Sequence, residues 1–198
     1  MVDNIANYNR GRPLSDIDPG AIAGGRDWAY KQLTLGADVI VDGTAPPGTA
    51  GTLGTSAVCQ YTAHQFACAT ADDYDHINVV VPNDYSPGGG MKLRVYWYSA
   101  TNHDPTKHAH WITTWRNLTA DSTTVLDAAG TAATHVDSAV PDTVNTMTYA
   151  EITCPVAVSG ITKAGDVMHV TLSADSAETH ASNSVYIVVL ACLVYQRA

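Results

Sequence analysis

Cations, glutamate and phenylalanine are scarce in this chain. Ten Lys and Arg stand against 19 Asp and Glu, giving a formal net charge of -9 over 198 residues. Lys163 is the only Lys or Arg between Arg116 and Arg197, whereas residues 1–31 balance Arg10, Arg12, Arg26 and Lys31 against Asp3, Asp16, Asp18 and Asp27. The negative excess therefore falls on the rest of the chain. Such a surface releases few phosphate counterions and repels anionic headgroups, which argues against both nucleic acid and membrane as partners. With only Glu151 and Glu178, and the Asp residues gathered in turns, paired carboxylates for glycoside cleavage are hard to find. No GxSxG elbow or triad signature offers an activated nucleophile. The four cysteines, Cys59, Cys68, Cys154 and Cys192, lack CxxC spacing, so no metal knuckle is expected. They read as small buried hydrophobes, reduced by default, although Cys59 and Cys68 could meet across a hairpin. No secretory signal opens the chain, and the longest apolar run, Val185 to Val194, is too short to span a bilayer as a helix. A soluble product is expected.

A single Phe contrasts with ten Tyr and four Trp. With Val and Thr abundant, that bias favours strands, because β-branched and aromatic side chains fit a pleated surface. An apolar content of 45% with 15% charged residues suits one globular domain plus an extended segment.

Residues 1 to about 35 lack a sustained period and read as an extended arm, in which Asp18-Pro19 could start a short helix that Gly24-Gly25 would end. Trp28, Tyr30 and Leu33 give that arm something to bury, and fully extended it would reach up to roughly 100 Å. GTAPPGTAGTLG, residues 43–54, reads as a linker. The expected division is therefore arm and linker over 1–54 and a compact domain over 55–198. In that domain strand-like runs alternate with turn signals: SAVCQYTA, HQFACAT, HINVVVP, MKLRVYWYSA, HAHWITTWRNL, TYAEITCPVAV, VMHVTLSAD and SVYIVVLACLVYQ. No helical period separates them, which argues against a parallel α/β sheet and leaves an all-β antiparallel sandwich of about eight strands, with a jelly roll as the leading topology. The Ala-, Thr- and Asp-rich stretch 119–147 reads as an insertion over its surface.

Two strand patterns carry further expectations. In MKLRVYWYS, Met91, Leu93, Val95 and Trp97 share one face, and Lys92, Arg94, Tyr96 and Tyr98 the other. In SVYIVVLACLVY both faces are apolar, so strict alternation puts Tyr186, Val188, Leu190 and Val194 on a face that calls for a partner from outside the sandwich. The expected subunit interface is Val185, Tyr186, Val188, Leu190 and Val194.

The residues that could carry chemistry are few. His108 and His110 sit at strand spacing for two metal ligands, yet no Glu follows before Glu151, so histidines on an exposed strand are the plainer reading. His64, His76, His135, His169 and His180 lie in separate segments, and Asp72, Asp73 and Asp75 read as a solvated turn rather than a calcium loop. Gly88-Gly89-Gly90 precedes a strand and lacks a following Lys-Ser/Thr, so it makes a turn and not a phosphate cradle. Tyr96, Tyr98 and Trp111, with Trp115, could stack on sugar rings if exposed, while one of the tryptophans is expected to fill the core beside Trp97. No catalytic residue, metal or cofactor is expected, and the chain is read as no enzyme.

The run YDHINVVVPNDYSPGGGMKLRVYWYSA, then HWITTW, then ITKAGDVMHVTLSAD and VYIVVLACLVYQ resembles β-sandwich virion proteins of tailed bacteriophages over roughly residues 74–195. That resemblance implies a jelly-roll structural protein, commonly trimeric, of the capsid decoration or cement type. It would be made in the host cytoplasm and carried on the capsid surface, with itself and the major capsid protein as partners. The arm lies outside the range of the resemblance, and its own residues Trp28, Tyr30 and Leu33 are the expected attachment points. The alternative it implies is a receptor- or carbohydrate-binding domain of a tail fibre or spike.

Overall fold

The computed structural model describes residues 28–33, 48–50, 63–67, 74–99, 104–119, 132–143, 146–175 and 185–198. Its strands are β1 (Trp28–Leu33), β2 (Gly48–Ala50), β3 (Ala63–Ala67), β4 (Tyr74–Val80), β5 (Met91–Ser99), β6 (His108–Leu118), β7 (Ala132–Ala139), β8 (Thr148–Thr153), β9 (Val167–Asp175) and β10 (Val185–Gln196). A single turn of helix, α1 (Val156–Ser159), lies between β8 and β9.

From β3 onward the chain pairs like one long hairpin folded over itself. β3 pairs with β10, β4 with β9, β5 with β8 and β6 with β7, all antiparallel. The roll then brings β10 against β5 and β9 against β6. The result is two sheets, β3-β10-β5-β8 and β4-β9-β6-β7, which is the eight-strand, two-sheet pattern of a jelly roll. β2 extends the first sheet beyond β3, and β1 pairs with residues 191–196 of β10. Because β5 occupies one side of β10, β1 and β3 share the other side.

Period-2 alternation places the core between the sheets. Leu93, Val95 and Trp97 of β5 meet Trp111 and Trp115 of β6 and Met168, Val170 and Leu172 of β9, all fully buried. Its centre is aromatic. Trp111 stands edge-on to Phe66 and to Trp97, with ring centroids 5.6 Å apart in both cases, and Tyr186 packs against both tryptophans. Each such side chain contributes about 1.5–3 kcal/mol by leaving water, and edge-to-face pairing adds to that. Trp115 Nε1 donates to Thr113 Oγ1 at 2.8 Å, whereas Trp97 Nε1 and Trp111 Nε1 have no hydrogen-bond partner among the described residues.

One end of the sandwich is tied by the turn between β4 and β5. Its Tyr85, buried, has its hydroxyl 2.6 Å from Gly89 O and 3.0 Å from Ser159 O, so that its one proton is shared between two carbonyls and joins that turn to α1. Ser86 N donates to Gln196 O and Ala198 N to Asp84 O, which fixes the end of β10 to the same turn. Asp84 accepts from Tyr195 Oη at 2.8 Å and Arg197 Nε at 3.0 Å. The hydrogen bond from Tyr195 holds the Asp84 carboxyl below its ordinary range. Gly165, at φ +87°, supplies the left-handed residue that the turn into β9 needs.

Several expectations are corrected. The segment 1–54, expected to be only arm and linker, contributes β1 and β2 to the six-stranded sheet. Within the stretch read as an insertion, residues 132–139 form β7, held on the edge of the second sheet by β6. The run TYAEITCPVAV is a strand only to Thr153. Pro155 lacks the N–H for a ladder, and α1 follows it. The expected start of a helix after Asp18 and the linker glycines outside β2 lie outside the described residues.

The largest correction concerns β10. Its register against β5 slips between Val188 and Leu190, so Val188 lies opposite Trp97 and Leu190 opposite Tyr96, with Val189 extra. A bulge of one residue exchanges the faces of everything after it. Tyr186 and Val188 therefore point into the core with Ala191, Leu193 and Tyr195, instead of outward with Leu190 and Val194. On the outward side Ile187, Cys192 and Val194 are buried within the single chain, at 3%, 8% and 3% exposure. The apolar second face of this strand thus needs no symmetry mate to leave water.

Candidate functional site

The inward faces are filled, so any site must lie on the outward faces or the ends. On β4-β9-β6-β7 the outward face is lined with histidine. His76, on β4, meets His169, on β9, with Nδ1 and Nε2 3.0 Å apart, and His169 Nδ1 lies 2.8 Å from Asn78 Oδ1. Since that amide oxygen only accepts, His169 carries its proton on Nδ1 and its Nε2 accepts from His76. Burial, reinforced by His76 and Arg116, lowers the His169 pKa. Two strands away, His110 Nδ1 pairs with Asp137 Oδ1 at 2.5 Å, and the rings of His110 and His135 sit 4.9 Å apart. The bond from His110, with the nearby His108 and His135, holds the Asp137 carboxyl below its usual range.

His108 and His110 do share the outward face of β6, as their spacing requires. Across the sheet His108 lies opposite Ala139, and His110 lies opposite Asp137, which it engages through Nδ1. Among the described residues no group of three or more His, Cys, Asp or Glu is placed to hold a metal ion. Cys154 is buried and its thiol is pushed up to about 12 by desolvation, against one opposing backbone hydrogen bond from Ser159. Burial also raises Cys192. Neither thiol is a ready nucleophile.

The other outward face, at the β5–β8 corner, combines aromatic and ionic side chains. Arg94 lies opposite Glu151, and Tyr96 opposite Tyr149. Arg94 Nε donates to Glu151 Oε1 at 2.9 Å and Lys92 Nζ to Glu151 Oε2 at 3.3 Å. Burial pushes the Glu151 carboxyl up, but the hydrogen bonds from Arg94 and Lys92 outweigh it, and the net shift is downward. The Arg94 guanidinium also stands over the Tyr149 ring, 4.7 Å from its centroid, and Tyr96 and Tyr149 lie 6.0 Å apart. Tyr149 is 53% exposed.

Of the three side chains expected to meet a glycan, only Tyr96 is partly open to solvent. Trp111 is wholly buried and Tyr98 is 4% exposed, so both are withdrawn from that role. Trp111 belongs to the inward set of β6, and Tyr98 faces outward only in a part of the sheet that is covered. Tyr149 and Glu151 join Tyr96 at this corner, and TYAEIT puts them at i and i+2 on one face. Trp28, Tyr30 and Leu33, expected to hold a capsid, lie on β1, whose backbone pairs with Gln196, Val194 and Ala191 of its own chain. Their side chains, that of Val185, and Cys59, Cys68, His180, Asp72 and Asp73 lie outside the described residues. Among the described residues no helix is long and apolar enough to cross a membrane.

No family model matches the chain, and no curated protein does. Among solved structures it is similar to an exo-β-1,3-galactanase from Phanerochaete chrysosporium, at 13% identity and TM-score 0.44, covering 85% of this chain and 29% of that one. It is also similar to the xylan-binding module CBM15, at 10% identity and TM-score 0.39, over 86% of this chain and 99% of that one. The structure of infectious bursal disease virus, Gt strain, matches at 13% identity and TM-score 0.30, over 76% of this chain and 37% of that one. This chain spans less than a third of the galactanase's length. At such similarity these neighbours carry no conclusion about activity or partner, and the all-β jelly roll rests on the strand pairing itself.

Proposed function

We propose that the protein is a non-enzymatic structural component of a tailed-phage particle, a decoration or cement protein on the capsid surface. The observation that carries this reading is a coincidence of range. The stretch that resembles tailed-phage virion sandwiches, roughly 74–195, supplies β4 to β10, seven of the eight strands of the jelly roll. Its outward faces support the same reading, since His110–Asp137 and Arg94–Glu151 are satisfied against each other on pleated surfaces. The major capsid protein is the partner, and the acidic sandwich faces outward.

The proposal includes a homotrimer, but no longer one made through β10. Apolar side chains open to solvent lie elsewhere, with Val156 and Ile161 foremost, at 81% and 65% exposure. Two measurements test the reading. Purified protein added to particles lacking it should bind to saturation and raise their resistance to heat, and sedimentation should give the protein's mass as a trimer. Failure to bind the particles would overturn the decoration role, and a monomer at micromolar concentration would remove the trimer.

A further inference from the structure

We propose that the β5–β8 corner is a glycan-binding patch, in which Tyr149 stacks on a neutral pyranose while Glu151 and Arg94 hydrogen-bond its hydroxyls. This site is independent of the decoration reading, because it requires only the described strands.

Three features carry it. The first is Tyr149, an aromatic ring 53% exposed at the start of β8, with the Arg94 guanidinium over one face and Tyr96 beside it. With 53% exposure the ring still presents about half of its surface to solvent. Pyranoses of gluco or galacto configuration gather axial C–H bonds on one side, and that side packs on an aromatic face. The second is spacing. Arg94 and Glu151 form the cross-strand pair next to Tyr96 and Tyr149 on the same face, displaced by two residues, about 7 Å along the strand. A sugar seated on Tyr149 therefore has its ring hydroxyls within reach of the carboxylate and guanidinium. Glu151 Oε1 already accepts from Arg94 Nε and Nη2, whereas Oε2 takes only Lys92 Nζ and has a lone pair left to accept from a hydroxyl.

The third is charge. Glu151 sits between Lys92 and Arg94, so every strong charge at the patch is held in an ion pair, with one positive charge in excess. An anionic ligand would compete with Glu151 for its cations, and a cation would compete with them for Glu151. A neutral polyol is complementary, because it adds hydrogen bonds without displacing the ion pairs. The same pairs lock the side chains in place before binding, which lowers the entropy that a ligand must overcome.

The test is calorimetric titration of the full-length protein with cellohexaose and, separately, with a β-linked galactohexaose, each followed by saturation-transfer NMR. At least one should bind, with transfer strongest to its axial C–H protons. Tyr149→Ala should weaken that binding about fivefold to tenfold, the worth of one aromatic contact. Tyr149→Phe should retain it, because the stacking surface is kept. Glu151→Gln should weaken it and Val156→Ala should leave it unchanged. Tyr149 is largely exposed, so the alanine variant should melt with the wild type, which separates loss of binding from loss of fold. No binding of either sugar at millimolar concentration, or equal binding by Tyr149→Ala, would overturn the proposal. So would a change in oligomeric state on Tyr149→Ala without sugar binding, which would make the patch a subunit contact.

Discussion

Replacing Trp111 by alanine should unfold much of the margin by which this sandwich is stable. Trp111 is fully buried between the sheets, edge-on to Phe66 and Trp97 and against Tyr186. Truncation removes its transfer free energy and leaves a cavity walled by rigid rings, so the cost should be about 3–5 kcal/mol. No hydrogen bond is lost, since its indole N–H is unpartnered among the described residues. Against a total stability of about 5–15 kcal/mol that is a large fraction, and the melting temperature should fall by roughly 10–15 °C. Trp111→Phe should cost less than about 2 kcal/mol, because it removes an unsatisfied buried donor together with part of the area. Trp115→Phe should cost about 1 kcal/mol more than Trp111→Phe, since it breaks the bond to Thr113 Oγ1. Urea unfolding followed by fluorescence measures all three. A loss below about 1 kcal/mol for Trp111→Ala would refute the placement of this side chain in the core.

Val188→Asp should abolish folding, because it buries a charge opposite Trp97, whereas Leu190→Asp, on the far side of the bulge and only partly buried, should cost under about 2 kcal/mol; soluble yield and melting curves that reverse this order would contradict the register. Gly165→Ala should cost about 1–2 kcal/mol from backbone strain alone, since nothing lies within 4 Å of the added methyl, and a neutral result in thermal melts would refute the left-handed turn. For pH, the folded His169 has a pKa below its ordinary value of about 6.5, so the unfolded chain binds the proton more readily and stability drops as pH falls below about 6.5. His169→Gln should remove that step in a series of melts against pH and keep the second loss below about pH 4, where the lowered carboxyls of Asp137 and Glu151 protonate.

Strands with strong alternation were legible from residues alone. β5, β6 and β9 match the runs MKLRVYWYS, HAHWITTWRNL and VMHVTLSAD, because each buries one face and the period of two is undiluted. β7, AATHVDSA, is an edge strand whose outward positions carry His135, Asp137 and Ala139, and it is stabilised by its ladder to β6 rather than by its own pattern. β1 and β2 depend on partners more than 140 and about 15 residues away, which local composition does not encode. The bulge at Val189 was hidden for a different reason. In an all-apolar strand both registers look alike, so the exchange of faces leaves no trace in hydropathy. At the candidate site Tyr96 was recognisable from its alternation with Trp97, while the partners that give it chemistry, Tyr149 and Glu151, lie on a strand 50 residues further on.

The most direct test of the proposed structural role is quantitative mass spectrometry of virus particles purified from the cells in which this chain is made. The account predicts hundreds of copies per particle, in fixed ratio to the major capsid protein. A count of three or six would place the protein in the tail, and its absence from particles would contradict the account altogether.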